Sequence, residues 1–267
     1  MNEVNRTLYI PLCAKARVSR RGIILNDPMA ERIWAAEAFP LRGRSASKWL
    51  AYNMAMRARV FDDWTEDQLR RNPDALVLHI GCGLDSRCMR VRQRCRCWID
   101  ADLPDVIAVR RRYYAQSETC RMVSLDASCP DQVMALPDGD AAIVVLEGLS
   151  MYLSYTQLRD FLKALREKYH RLHILMDVYT AFGAWASKVK NPVNDVGVTQ
   201  LYGIDDLGAC LDGLGIALVR EHRFTPRALV DELKPLERLI FRGLFTGRLY
   251  RKIYRLVELA GKDRRSP

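Results

Sequence analysis

Ala75-Leu-Val-Leu-His-Ile-Gly-Cys-Gly-Leu-Asp-Ser-Arg87 decides how the chain is read. An apolar run climbs to Ile80 and breaks at Gly81-Cys82-Gly83, with Asp85 two residues on and helical spacing after it. That is a buried strand, a glycine turn and the start of a helix. Glycines in such a turn let the backbone approach a ligand closely, and the helix N-terminus behind it favours anionic and polar groups. A nucleotide-like ligand is therefore expected. A dinucleotide fingerprint needs a third glycine three residues after the second, and Ser86 stands there, so the choice of cofactor falls to the rest of the chain.

Outward from this stretch, strands and helices alternate. The strands are expected at Ala75–Ile80, Arg94–Ile99, Arg121–Leu125, Ala141–Leu146, Leu172–Asp177 and Gly215–Arg220, with Ile253–Leu259 as a last, antiparallel one. Such alternation predicts an α/β fold, a doubly wound, mostly parallel, Rossmann-like sheet. Residues 1–72 read as an N-terminal helical cap, with Pro28 in the first turn of one helix and Ser45-Ala-Ser47 ahead of a longer one. Residues 73–267 form the sheet domain, and 181–203 read as a lid insertion.

The 267 residues are 49% hydrophobic, enough for one large α/β core. No apolar run approaches the ~20 residues of a membrane span, and no secretory segment opens the chain. The eight cysteines form no Cys-x-x-Cys pair and have no histidine at zinc-finger spacing. They read as reduced thiols in a cytoplasmic protein without a metal. The net charge of +10, concentrated between Lys234 and Arg265, favours anionic partners, although a solvated helix face is the plainer reading of that run.

In a doubly wound sheet, ligands bind at the carboxyl ends of the strands. Here those ends carry Gly81 and Gly83, Asp100 and Asp102, Asp126, and Glu147. An acid on the second strand can accept from both hydroxyls of a ribose, and Asp126 on the third can sit by an adenine edge. The competing reading is that each acid only caps the helix after it.

Three runs then carry a resemblance. Gly81-Cys-Gly-Leu-Asp-Ser-Arg87, Asp100-Ala-Asp-Leu-Pro-Asp-Val106 and Glu147-Gly-Leu-Ser-Met-Tyr-Leu153, in that order, resemble the leucine carboxyl methyltransferase family, whose members include polyketide O-methyltransferases. Upstream, Pro11-Leu-Cys-Ala-Lys-Ala-Arg17, Asn26-Asp-Pro28 and Arg57-Ala-Arg-Val-Phe-Asp62 are similar to that family's N-terminal helical region. The likeness covers roughly residues 8–180 and thins after Tyr179. It implies a class I methyltransferase type of fold and S-adenosyl-L-methionine as cofactor. Carried over, Gly81 approaches the methionyl part, Asp102 the ribose, Asp126 with Ala127 the adenine, and Glu147 the amino group, with Gly83 also binding the cofactor. Arg59 and Lys15 pair with the methionyl carboxylate, a task suited to a guanidinium fork. Tyr152 faces the methyl-transfer region as the candidate catalytic residue, and Arg57 stays open between cofactor and substrate. Asp126-Ala127 and Cys82 are mild departures from the family pattern.

Methyl transfer to a carboxylate asks for little acid–base chemistry, because the acceptor is already ionised; a phenol needs a base. His79 and His173 fall inside strands and read as core residues, which leaves no evident base. The expected activity is O-methylation of an anionic acceptor, a polyketide-like small molecule or a peptide. The alternatives are a phenolic acceptor, a nicotinamide-dependent dehydrogenase, which the missing glycine and the third-strand acid disfavour, and a nucleic-acid-associated protein, for which no ordered aromatic–basic motif exists.

Overall fold

The computed structural model describes residues 7–41, 43–190, 201–247 and 253–262. Seven strands form one sheet: β1 (Leu76–Ile80), β2 (Cys97–Asp102), β3 (Cys120–Ser124), β4 (Ala141–Leu146), β5 (Arg171–Tyr179), β6 (Ile216–His222) and β7 (Tyr254–Gly261). Their order is β3-β2-β1-β4-β5-β7-β6. The first five pair in parallel, while β7 runs antiparallel between β5 and β6. The connection reverses direction between β1 and β4, where a doubly wound sheet opens its ligand crevice. The expected fold class is the observed one, and the last strand is antiparallel as read from the sequence. Strand two starts three residues later than expected, because Arg94 to Arg96 precede the paired segment.

Side chains alternate across the sheet. Leu76, Leu78, Val144, Ile174 and Met176 point to one face, which Leu158, Phe161, Leu162 and Leu165 of a helix over Tyr155–Lys168 cover. That helix starts at a capping box in which Ser154 and Gln157 satisfy each other's backbone N–H groups. Val77, Ile143, Val145 and Leu175 point to the other face, against Phe61, Trp64 and Leu69. Those three belong to a helix of 24 residues, Lys48–Arg71. With the helices Tyr9–Ser19 and Pro28–Glu37 before it, we label these α1, α2 and α3 in chain order. The lower half of α3 is thus a layer of the sheet sandwich. Its upper half, through Tyr52, Ala55 and Met56, packs with Val18 of α1 and with Phe241 from a helix over Pro235–Phe245, forming a roof above the carboxyl edge.

The segment after Gly81–Gly83 corrects one expectation. Its helix spans only Arg87–Arg90, a single turn, so few peptide dipoles align there. Charge at this point comes from side chains instead. The expected lid begins as a helix, Ala181–Lys190; residues 191–200 lie outside the described residues, and the chain returns with Leu201 buried and Tyr202 N–H bonded to Met151 O at 2.8 Å. No helix among the described residues is long and apolar enough to cross a membrane.

Candidate active site

A cavity of about 450 Å³ runs along the carboxyl edge of the sheet, from the end of β3 to the start of β7, beneath α1 and α3. Its floor is the glycine turn. Gly81 (φ +71°) and Gly83 (φ +52°) adopt left-handed backbone that other residues strain to reach. A Cβ on Gly81 would sit 3.3 Å from the Leu149 side chain, so the turn and the loop after β4 lean on each other. Gly83 N–H donates to Asp102 Oδ2 at 2.7 Å, which ties the turn to the end of β2.

The two acids of β2 part company. Asp102 borders the cavity; burial raises its pKa, against the backbone N–H groups of Gly83 and Leu103 that it accepts from. Asp100 lies behind it, accepting from Arg110 Nη2 at 2.5 Å and Trp98 Nε1 at 2.9 Å, with His79 Nδ1 at 3.1 Å. Asp100 is structural, as is His79, whose other ring nitrogen lies 3.0 Å from Arg87 Nη1. The Cys88 and Cys120 sulfurs and an Asp100 oxygen come within 4.8 Å of one another, a grouping that sequence spacing conceals, but the Asp100 oxygens are already engaged.

At the β3 end of the cavity, Asp126 Oδ1 accepts from Ser128 N and Oγ at 2.8 and 2.7 Å. Asp126 Oδ2 and Ala127 N–H have no partner among the described residues, and both residues border the cavity. An acceptor next to a donor is the complement of an adenine N6–H and N1.

The middle of the cavity is ionic. Lys15 is buried, its side chain 4% exposed, and its Nζ lies 2.7 Å from Asp85 Oδ2. An ammonium has three donors, so this one contact leaves two for a ligand. Arg87 reaches Asp62 at 2.7 Å, Asp85 at 3.3 Å and Glu147. Arg57 holds Glu147 at 2.9 Å, Asp177 at 2.9 Å and the Tyr254 hydroxyl at 2.7 Å. Glu147 is the hub: burial pushes its pKa up, but Arg57, Arg87 and Lys15 overcome this and bring it down to about 2. Burial raises Asp177, with Arg57 and Tyr254 opposing. Both oxygens of Glu147 are therefore committed to arginines, so it is a less free partner for an amino group than the sequence suggested.

The expectation for Arg59 is corrected. Its side chain is 43% exposed and pairs with Asp63 at 2.7 Å, away from the cavity. Residues two apart on a helix point ~200° apart, so Arg57 and Arg59 cannot share a face. Arg57 is the one that borders the cavity. Tyr152 also borders it, its hydroxyl pKa pushed up by burial to about 12.

Beyond Tyr152 the wall turns apolar and aromatic, with Leu50, Met54, Tyr179, Leu201 and Phe224. Tyr254 closes this end, its pKa raised well above the usual value by burial. Asn53 also borders it, one helical turn before Arg57 on the same face. Its Nδ2 donates to Trp49 O at 3.1 Å, which fixes the amide orientation, and its Oδ1 is buried with no partner. Sequence reading missed Asp177, Tyr254, Phe224 and Asn53. Asp177 had a signal, because it is an acid near the end of a strand, as Glu147 is; the others carry no motif.

The family model described as leucine carboxyl methyltransferase matches residues 10–166. Over 258 residues the chain is 28% identical to the tetracenomycin polyketide synthesis O-methyltransferase TcmP of Streptomyces glaucescens, with 95% of each chain covered. Over 131 residues it is 34% identical to the S-adenosyl-L-methionine-dependent methyltransferase dpfgK of Gibberella zeae, spanning 46% of this chain and 44% of that one. Among solved structures, a putative methyltransferase from Thermobifida fusca superposes with a TM-score of 0.56 at 14% identity, covering 87% of this chain and 88% of that one. The magnesium protoporphyrin IX methyltransferase of Synechocystis gives 0.52 at 12% identity, covering 89% and 95%. At those identities the structural likeness is one of fold. The family match spans more than half of the 267 residues, and with it the chain belongs to the leucine carboxyl methyltransferase family and is an S-adenosyl-L-methionine-dependent methyltransferase.

Proposed function

We propose that the chain methylates a carboxylate oxygen of a ring-bearing small molecule. The observation that carries this reading is the lack of an available base at the aromatic end of the cavity among the described residues. Tyr152 and Tyr254 hold their protons at neutral pH and serve as donors. Both nitrogens of His79 face partners, and Asp177 accepts from Arg57, Tyr254 and Gly148 N–H. A phenol would find nothing to take its proton, whereas a carboxylate arrives ionised.

The residues present fit the cofactor. Asp102, on the cavity edge, suits a ribose, and the free edge of Asp126 and Ala127 suits adenine. Lys15, with spare donors, and Arg57 beside it in the cavity wall suit the methionyl carboxylate. When bound, S-adenosyl-L-methionine supplies an electrophilic methyl group on a sulfonium. The chain then has two tasks. It orients two reactants, which supplies most of the rate in a reaction without proton transfer. It desolvates the acceptor between Leu50, Met54, Phe224 and the tyrosines.

The test is the product. Cell extract incubated with enzyme and labelled donor should yield a methylated acid that releases methanol in mild alkali. Between pH ~6 and ~8 the rate should change little, since the carboxylate stays ionised. An alkali-stable product would overturn carboxyl methylation and leave the methyltransferase intact.

A further inference from the structure

A second cavity, of about 480 Å³, opens on the other side of the Phe224–Tyr254 wall. The two rings are stacked, with centroids 4.6 Å apart and planes 22° apart. They line both cavities, so the methyl-transfer chamber and this one meet at the aromatic pair. The second chamber is cationic. Arg223 and Arg227 come from the turn after β6 and the helix Arg227–Asp231, Arg242 from the helix Pro235–Phe245, and Arg255 from β7.

Arg255 pairs with Glu221 and Arg242 with Asp231, while Arg227 is 3.9 Å from the same Asp231. Arg223 has no ion pair or hydrogen bond with any described residue. Three of the four guanidinium groups thus share two carboxylates, one of which also meets Arg238 at 3.6 Å, and the fourth has none. Guanidinium forks of this kind match planar or tetrahedral oxyanions, and an uncompensated cluster in a concave site concentrates them.

We propose that this chamber binds an oxyanion, a carboxylate or phosphate carried by the methyl acceptor at the end away from its reacting oxygen. The inference rests on the small-molecule acceptor reading above. It adds that the acceptor is at least dianionic and long enough to reach past the Phe224 and Tyr254 rings from one cavity to the other.

The first arm of the test needs no acceptor. Titration calorimetry of the full chain with inorganic phosphate at low salt should show one site. The double substitution Arg223→Ser, Arg227→Ser should weaken it at least fivefold, and saturating S-adenosylhomocysteine should leave it unchanged. Both arginines are exposed, so unaltered S-adenosylhomocysteine affinity in the double variant reports an intact fold. In the second arm, with the acceptor identified by labelled-methyl transfer, phosphate should raise its KM in the parent chain without lowering kcat. The double variant should show the raised KM with no phosphate present. Equal phosphate affinity in parent and variant, or displacement of phosphate by S-adenosylhomocysteine, would remove the site. A KM that neither phosphate nor the substitutions move would remove the acceptor assignment. An alkali-stable product would sink carboxyl methylation while leaving both arms readable.

Discussion

Replacing Arg57 by glutamine should show how much of the site is held together by one guanidinium. Arg57 is buried and bridges Glu147, Asp177 and Tyr254, so it joins α3 to the ends of β4 and β5 and the start of β7. The strength of the local field can be gauged at Glu147. Its pKa is lowered from 4.5 to about 2; at ~1.4 kcal/mol per unit this is about 3 kcal/mol in favour of the folded, ionised state. That contribution is complete above pH ~4.5 and is lost as pH falls through ~2. Arg57→Gln leaves Glu147 with Arg87 but strips Asp177 of its cation. Removing one partner of a buried pair costs roughly 3–5 kcal/mol, and that is the expected loss at pH 7.

The sign of the pH dependence follows from Asp177. Burial already raises its folded pKa, and without Arg57 it rises further. A carboxyl whose folded pKa exceeds its unfolded value stabilises the fold at low pH, and that stability is lost as pH rises through the folded pKa. The deficit of the variant should therefore shrink as pH falls from 7 towards 5. Urea denaturation followed by tryptophan fluorescence at pH 5, 6 and 7 measures it. A deficit below about 1 kcal/mol at pH 7, or one that widens towards pH 5, would refute the argument.

Arg59→Ala should change stability by no more than ~0.5 kcal/mol and leave S-adenosylhomocysteine affinity within twofold, because its partner Asp63 is exposed too; a tenfold loss in calorimetry would put it back in the cofactor site. Asp102→Ala should weaken S-adenosylhomocysteine binding by about 1–3 kcal/mol with a native melting profile. Asp100→Ala should instead lower the melting temperature, since Arg110, Trp98 and His79 lose their common acceptor; the reverse pattern would exchange their roles. Asn53→Leu removes an unpaired buried carbonyl, so thermal unfolding should occur at the same or a higher temperature. A clear drop in melting temperature would make Asn53 a packing residue.

What the chain declares by itself is local. Val77, Leu78 and Ile80 announce a buried strand, Gly81 and Gly83 a turn that needs left-handed backbone, and Asp27-Pro28 a helix start, because each depends on neighbours a few residues away. Strand alternation extends this to a doubly wound sheet whose carboxyl edge must carry Asp102, Asp126 and Glu147. Choices between near neighbours are decided elsewhere. Asp100 and Asp102 share a strand face, and only the arrival of Arg110 over the inner one separates a structural acid from a cavity acid. Arg57 and Arg59 are divided by the rotation of α3 against β4 and β5, which the packing of Phe61 and Trp64 sets. Lys15 meets Asp85, and Arg57 meets Tyr254, across separations of 70 and 197 residues. The latter contact exists because β7 inserts antiparallel next to β5 and brings its first residue to the carboxyl edge. Contacts at such separations are selected by the register and packing of the whole sheet, and no short window of sequence contains that information.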